Sequence, residues 1–309
     1  MKKIIIVFYI VLIFTSSSFA DKKFEKELKK ISKYSSFVNN KGEHYQIEES
    51  INKSKILILI YTHGSWGNER KLNGCKNSWG QVPPAIYQLD GSKINDLTIK
   101  TYQLCSGVRG WTKKEEDLFW DTYDENNQDV SKVINLKDKS GILLVNKWKS
   151  PMKQKVMKLK IDEFINNGFK NIVLSGHSAG GWDSLVLKSK FPSKINGVVA
   201  FNPARSGKFA KQNKPHRGWI NWRNHKISLI KLDKIDKVLI YSHAKDQYEN
   251  PETLSFLSNS KTIEFVDLSK TSCKGKFKFG KYHGITQTKC FADKDSNSKN
   301  LIKYLKEIF

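Results

Sequence analysis

The stretch Asn171-Ile172-Val173-Leu174-Ser175-Gly176-His177-Ser178-Ala179-Gly180 decides how this chain is read. An apolar run ends in a serine flanked by glycine two residues away on each side. A segment of helical character, Trp182 to Lys190, follows. Between a strand and a helix this is the pattern of a nucleophile elbow. The chain turns so sharply that only small residues fit at the flanks, and the turn lifts the serine hydroxyl above the sheet edge. The pattern therefore implies a serine nucleophile.

Short apolar segments recur around it. Lys55 to Thr62, Leu97 to Cys105, Ile172 to Leu174, Ile195 to Phe201, Val238 to Ser242 and Thr262 to Val266 read as strands, with Tyr45 to Ile51 as an edge strand. Helical segments alternate with them. Met152 to Asn167 carries Met157, Ile161, Phe164 and Ile165 on one face, and Gly168 stands where a C-terminal cap is expected. Pro251 to Leu257 and Lys299 to Ile308 are further helices, and Asp21 to Asn40 is an amphipathic entry helix with Phe24, Leu28 and Ile31 on one side. Such alternation predicts an α/β chain with a mainly parallel, doubly wound sheet, with ligands beyond the C-terminal ends of its strands. Two stretches interrupt it and read as cap segments. Residues 106–149 have an acidic, aromatic middle, and residues 203–231 are basic and rich in Trp.

Residues 1–20 carry a basic start, eleven apolar or aromatic residues from Ile4 to Phe14, and small residues up to Ala20. Eleven residues span about half of a ~30 Å hydrocarbon core, so the pattern is that of a cleaved export signal rather than an anchor. Residues 21–309 then form one domain in a periplasmic or secreted protein. The formal charge is +24, yet only five of the 54 basic residues are Arg. Lysine spread along the whole chain describes a solvated surface, with weak binding to anionic surfaces at most, and does not describe a specific nucleic-acid reader. The four cysteines, Cys75, Cys105, Cys273 and Cys290, suggest disulfides in an exported chain, with three pairings open.

A serine hydroxyl needs a base, and the base needs a group that fixes its tautomer. Of seven histidines, His44 and His63 precede the elbow, His177 lies inside it and is directed away from the serine, and His216 and His225 belong to the basic excursion. His283 sits on a late loop that can return to the elbow, and it is the expected base, with His243 second. Asp246, just past the strand Val238 to Ser242, is the expected acid, with Asp267 as the alternative. Oxyanion donors are expected from the N–H of Ala179 and from the loop His63-Gly64-Ser65-Trp66-Gly67, through Ser65 or, second, Trp66.

The order of these pieces, oxyanion loop, Ser178, Asp246 and His283, resembles the α/β-hydrolase superfamily from about Tyr45 onward. The resemblance implies a mainly parallel sheet of about eight strands and cofactor-free hydrolysis of ester-like acyl bonds in a small-molecule substrate. It also implies Cys75–Cys105 and Cys273–Cys290 as the pairings, the second closing a loop around His283. Where one branch of the superfamily has HGGG, this chain has His63-Gly64-Ser65, so that branch's substrates do not carry over. Peptidase or amidase action on the same residues, and a non-catalytic binding protein with a basic surface, remain as alternatives. Gly275 to Tyr282 only approaches a phosphate loop, since Tyr282 stands where a hydroxyl ligand to a metal is needed. Asp121 to Asp129 lacks the central glycine of a calcium loop. No metal site is expected.

Overall fold

The computed structural model describes residues 18–39, 42–45, 52–64, 82–108, 110–205, 219–258, 260, 262–274, 280–293 and 295–309. Eight strands form one sheet: β1 (Ser36–Val38), β2 (Ile56–Thr62), β3 (Lys93–Ile94), β4 (Leu97–Cys105), β5 (Asn171–His177), β6 (Gly197–Phe201), β7 (Val238–Ser242) and β8 (Ile263–Asp267). Their order is β1-β4-β2-β5-β6-β7-β8, with β3 hydrogen-bonded to β4. Strands β4, β2, β5, β6, β7 and β8 run parallel. Only β1 and β3 oppose their neighbour β4.

All seven residues of β2 are buried, as are all five of β6 and of β7. A strand covered on both faces has no polar side, which is why these segments read as unbroken apolar runs. Alternate residues go to opposite faces. Ile56, Ile58 and Ile60 join Ile172 and Leu174 in one core. Leu57, Leu59 and Tyr61 join Val173, Val199 and Leu239 in the other. At the edge, β8 is half-exposed and carries Glu264 and Asp267, charges that blunt an open edge.

The longer helices are α1 (Ser18–Lys33), α2 (Lys113–Glu125), α3 (Lys149–Asn166), α4 (Ala179–Lys190), α5 (Trp219–Ser228) and α6 (Asp295–Ile308). Helix α3 brings Met157, Ile161 and Phe164 to the first core, where α4 adds Trp182 and Leu185. Gly168, at φ +92°, closes α3 in the left-handed conformation that a C-terminal cap requires. Helix α6 covers the other face with Leu301, Tyr304 and Leu305. The sheet is thus doubly wound.

Two expectations change at the ends of elements, and a third falls largely outside the described residues. The entry helix stops at Lys33, and Ser36–Val38, placed by sequence in that helix, is the edge strand β1. Of the expected edge strand Tyr45 to Ile51, residues 46–51 lie outside the described residues, and Tyr45 donates its N–H to the Phe37 carbonyl at 2.7 Å beside β1. Pro251 to Leu257 yields only a 3-10 turn over Ser255–Leu257, because Asn250 and Thr253 bond to each other's backbone and hold a tight turn.

The two interruptions meet. Phe119, Trp120 and Tyr123 of α2 and Trp222 of α5 share one apolar cluster with Val133 and Leu144. Trp148 lies 5.2 Å from Trp111 and 5.5 Å from Trp222 between ring centroids. Helix α2 opens on a capping box between Thr112 and Glu115.

The most crowded point is where α4 crosses β2. A Cβ at Gly180 would lie 2.0 Å from the Thr62 carbonyl oxygen and 2.7 Å from that of His63. Both are backbone atoms at the end of a central strand and cannot retreat. Gly180→Ala is expected to cost about 3 kcal/mol or more, at the upper end of overpacking, while Gly91→Ala, with nothing within 4 Å at φ +79°, costs only the left-handed backbone penalty of about 1–2 kcal/mol. Urea unfolding of the two variants beside the native chain measures the difference.

Candidate active site

Ser178 stands between β5, the middle strand, and α4. Its φ of +57° and ψ of −126° are strained for a residue with a side chain. The strain is held by three backbone bonds. The Ser178 N–H donates to the Phe201 carbonyl at 3.0 Å, and the Ser178 carbonyl accepts from Trp182 and Ala204 N–H, each at 3.1 Å. A Cβ on Gly176 would lie 2.4 Å from the Gly180 carbonyl carbon, so the flanks must be glycine. Ser178 itself stays partly exposed.

The chain after β2 runs against this turn. A Cβ on Gly64 would fall 2.9 Å from the Ser178 Cβ and 3.4 Å from its Oγ. The buried Lys153 Nζ donates to the His63 carbonyl at 2.9 Å and ties this loop to α3. Ser65 and Trp66 lie outside the described residues. Ala179 opens α4, so its N–H has no acceptor within the helix.

Asp246 and His283 come together. His283 Nδ1 lies 2.7 Å from Asp246 Oδ2, and both side chains are buried. The other carboxylate oxygen, Oδ1, accepts the Tyr248 N–H at 2.9 Å. The backbone of His283 is pinned as well. Its carbonyl accepts from His177 Nε2 at 2.8 Å and from Asn202 Nδ2 at 2.9 Å. The rings of Tyr248 and His177 flank its imidazole at 4.3 and 4.7 Å. Cys273 and Cys290 form a disulfide that closes the segment containing His283. Cys75, and with it the Cys75–Cys105 pairing, lies outside the described residues.

The rival residues are occupied elsewhere. Asp267 is exposed and accepts from Ser269 N–H and Oγ at its own turn. The Nδ1 of His243 accepts the Lys245 N–H at 2.9 Å, and its ring packs on Tyr282. His225 packs on Trp222, and His216 lies outside the described residues.

Sequence reading missed the supports of the site. The contact of His177 with the His283 carbonyl has no signal in local spacing. Asn202 did have one. It ends β6 before Pro203 at φ +42°, a conformation Asn tolerates better than most residues. Nor did spacing mark the buried pair Arg223–Glu249, where Arg223 Nε and Nη2 meet the two carboxylate oxygens at 2.6 and 2.7 Å. Arg223 Nη2 also donates to the Thr253 carbonyl. This fork ties α5 to the loop that carries Asp246.

Comparison with family models and with curated protein sequences finds no match. Among solved structures, Est1E from Butyrivibrio proteoclasticus is 12% identical, covering 88% of this chain and 90% of its own, at a TM-score of 0.44. A monoacylglycerol lipase from Paleococcus ferrophilus is 15% identical, covering 83% and 97%, at 0.47. An S-formylglutathione hydrolase from Agrobacterium tumefaciens is 12% identical, covering 69% and 75%, at 0.40. At these identities the likeness concerns the course of the chain alone. The strand order, with an antiparallel outer strand and a serine turn on the middle strand, is that of the α/β-hydrolase fold.

Two predictions test the supports. Burial, with the neighbouring His283 and His63, pushes the His177 imidazole from 6.5 down to about 3. As pH falls below 6.5 the unfolded chain takes up that proton first, so stability present above about 6.5 is lost toward pH 3, by up to ~1.4 kcal/mol per pH unit. His177→Gln, which keeps a donor for the His283 carbonyl, should flatten this acid limb in urea titrations at stepped pH. Removing one partner of the buried fork strands the other charge, so Arg223→Met should cost about 3–5 kcal/mol. Arg223→Met combined with Glu249→Leu should recover most of that loss in the same assay.

Proposed function

We propose that this protein is an exported serine hydrolase that cleaves ester-like acyl bonds of a small-molecule substrate. In this reading Ser178 is the nucleophile, His283 the general base and Asp246 the group that orients it. The observation that carries the reading is the buried 2.7 Å contact of His283 Nδ1 with Asp246 Oδ2, in a segment pinned to the elbow through His177. That contact directs the Nδ1 proton at the carboxylate and leaves Nε2 as the lone pair that can accept a proton.

The Ser178 Oγ attacks the acyl carbon while its proton passes to His283 Nε2. The resulting oxyanion is held by the Ala179 N–H and by a second N–H from Ser65, or from Trp66. The tetrahedral intermediate collapses, the C–O bond to the alcohol breaks, and the imidazolium returns its proton to the leaving oxygen. Water then attacks the acyl-enzyme with His283 again as base. Asp246 orients the imidazole and stabilises the imidazolium. The aromatic cluster of α2 and α5 supplies the cap, at the excursions of 106–149 and 203–231. The reading includes export, supported by the leader pattern of residues 1–20 and by the Cys273–Cys290 disulfide. Among the described residues no helix is long and apolar enough to cross a membrane.

A fluorophosphonate probe should label the native chain, and peptide mapping should place the label on Ser178. Ser178→Ala should take none. Against a panel of acyl esters, His283→Gln and Asp246→Asn should each lower kcat by on the order of 10³-fold or more. Equal labelling of native chain and Ser178→Ala would overturn the assignment. Turnover of matched amides at rates equal to the esters would instead make the protein an amidase.

A further inference from the structure

Along helix α4, a cavity of about 160 Å³ opens between α3, α4 and α5. Its walls include Ser150, Gln154, Trp182, Lys190, Arg205 and Lys226, and none of these is Ser178, Asp246 or His283. Three cations thus face one small space. Among the described residues no carboxylate forms an ion pair with Lys190, Arg205 or Lys226. The nearby buried carboxylate, Asp183, is engaged by Ser150 Oγ and by Gln154 Nε2 at 2.8 Å. Burial pushes its own pKa up, so it is a poor counter-charge.

Arg205 and Lys226 lie over indole faces, and Asp183 acts on Arg205 and Lys190 at longer range. The Arg205 guanidinium carbon lies 4.3 Å from the Trp148 centroid. Lys226 Nζ lies 4.3 Å from the Trp222 centroid and 5.9 Å from that of Trp148. Ring quadrupoles offset only part of the cost of enclosing charge. Burial, then the Arg205 and Lys190 charges, push Lys226 down to about 7. A second anion in this space would answer all three cations at once.

The neighbouring cavity says what such an anion carries. It measures about 370 Å³ and shares Asn146, Pro151, Gln154 and Lys190 with the first. Beyond them its walls are the apolar Leu28 of α1, Leu159 of α3, and Leu187 and Phe191 at the end of α4, together with the charged Glu25, Lys29, Lys155 and Lys158. A cationic pocket joined to a groove that offers four large apolar side chains between its charged ones matches a molecule with an anionic head and an alkyl tail. We propose that the two cavities together bind a fatty carboxylate, its head at Lys190, Arg205 and Lys226 and its chain against Leu159, Leu187 and Phe191. The site needs nothing from Ser178 and stands apart from the hydrolase reading.

The test is a calorimetric titration of the full chain carrying Ser178→Ala, with hexanoate, decanoate, decanol and inorganic phosphate, each below its micellar concentration. Decanoate should bind, with affinity rising about fourfold per methylene from hexanoate upward, and decanol and phosphate should each bind at least tenfold more weakly. Arg205→Met with Lys226→Met should weaken decanoate by at least tenfold while melting no lower than the parent, since it removes cations that lack ion pairs. Lys190→Met, at the exposed mouth, should weaken binding in the same direction and serves if the double variant fails to fold. The charged and titratable groups that act on or sit beside Lys226 are Arg205, Lys190 and His225. An anion that holds Lys226 protonated should bind less tightly as pH rises above about 7, and Lys226→Met should remove that dependence. Decanol matching decanoate, or binding undiminished in both variants, would overturn the proposal. Phosphate as tight as decanoate would mark a site for small anions without a chain and would overturn it equally.

Discussion

The close approach of α4 to β2 governs the geometry of this molecule. Gly180 sits so near the Thr62 carbonyl that not even a methyl group fits between helix and strand. A helix pressed onto the sheet at its first turn cannot be entered by a relaxed chain from β5. The backbone must reverse within one residue, and Ser178 takes the positive φ that this requires. The same approach sets Gly64 against the Ser178 side chain and leaves the first N–H groups of α4 without helical acceptors. A partly exposed serine, a nearby loop and donors without helical acceptors are thus consequences of one packing constraint. The strain at Ser178 is met by backbone bonds from β6 and the residues after it, Phe201 and Ala204.

The histidine is held by a different logic. A loop imidazole positioned only through its ring would swing on the loop. Here the main chain is fixed first, by two donors on the His283 carbonyl, and the ring is then oriented by Asp246. One of those donors is His177, the residue before the elbow serine. The turn that presents Ser178 and the loop that presents His283 therefore share a hydrogen bond. Burial keeps His177 neutral at ordinary pH, since its pKa lies at about 3. A charged ring beside His283 would otherwise oppose an imidazolium there.

What the chain reveals to a reader follows from the range of the interaction. Strands β2 and β7 were legible almost to the residue, because burial on both faces writes a continuous apolar run that needs no partner to be recognised; β4 was legible from its rougher alternation. The elbow was legible because its steric demand falls on Gly176 and Gly180, residues close to the serine. Loop order after β7 was enough to nominate Asp246 and His283. The edge strand β1 was not legible, since three residues carry little periodicity and β1 exists through its pairing with β4. Nor was the Arg223–Glu249 fork, which joins residues 26 apart through tertiary contact. Asn202 was half-legible: its place before Pro203 marked a strand end, but not that its amide would reach the His283 carbonyl.

Charge shows the same limit. With 54 basic residues against 30 acidic ones, lysine reads from sequence as a solvated coat. For much of the surface that is what it is, and pairs such as Lys55–Asp96 are exposed and add little. Position in the fold separates a few lysines from the rest. Lys188 is buried yet meets the Asp236 carboxylate and the Ile195 carbonyl, so it is a structural cation. Lys226 is enclosed beside two other cations and two indoles, and its pKa falls to about 7. Neutralisation at that pH is the protein's alternative to a counter-ion. A side chain with both options open is one whose protonation a ligand can decide, and no count of lysines distinguishes it from its neighbours.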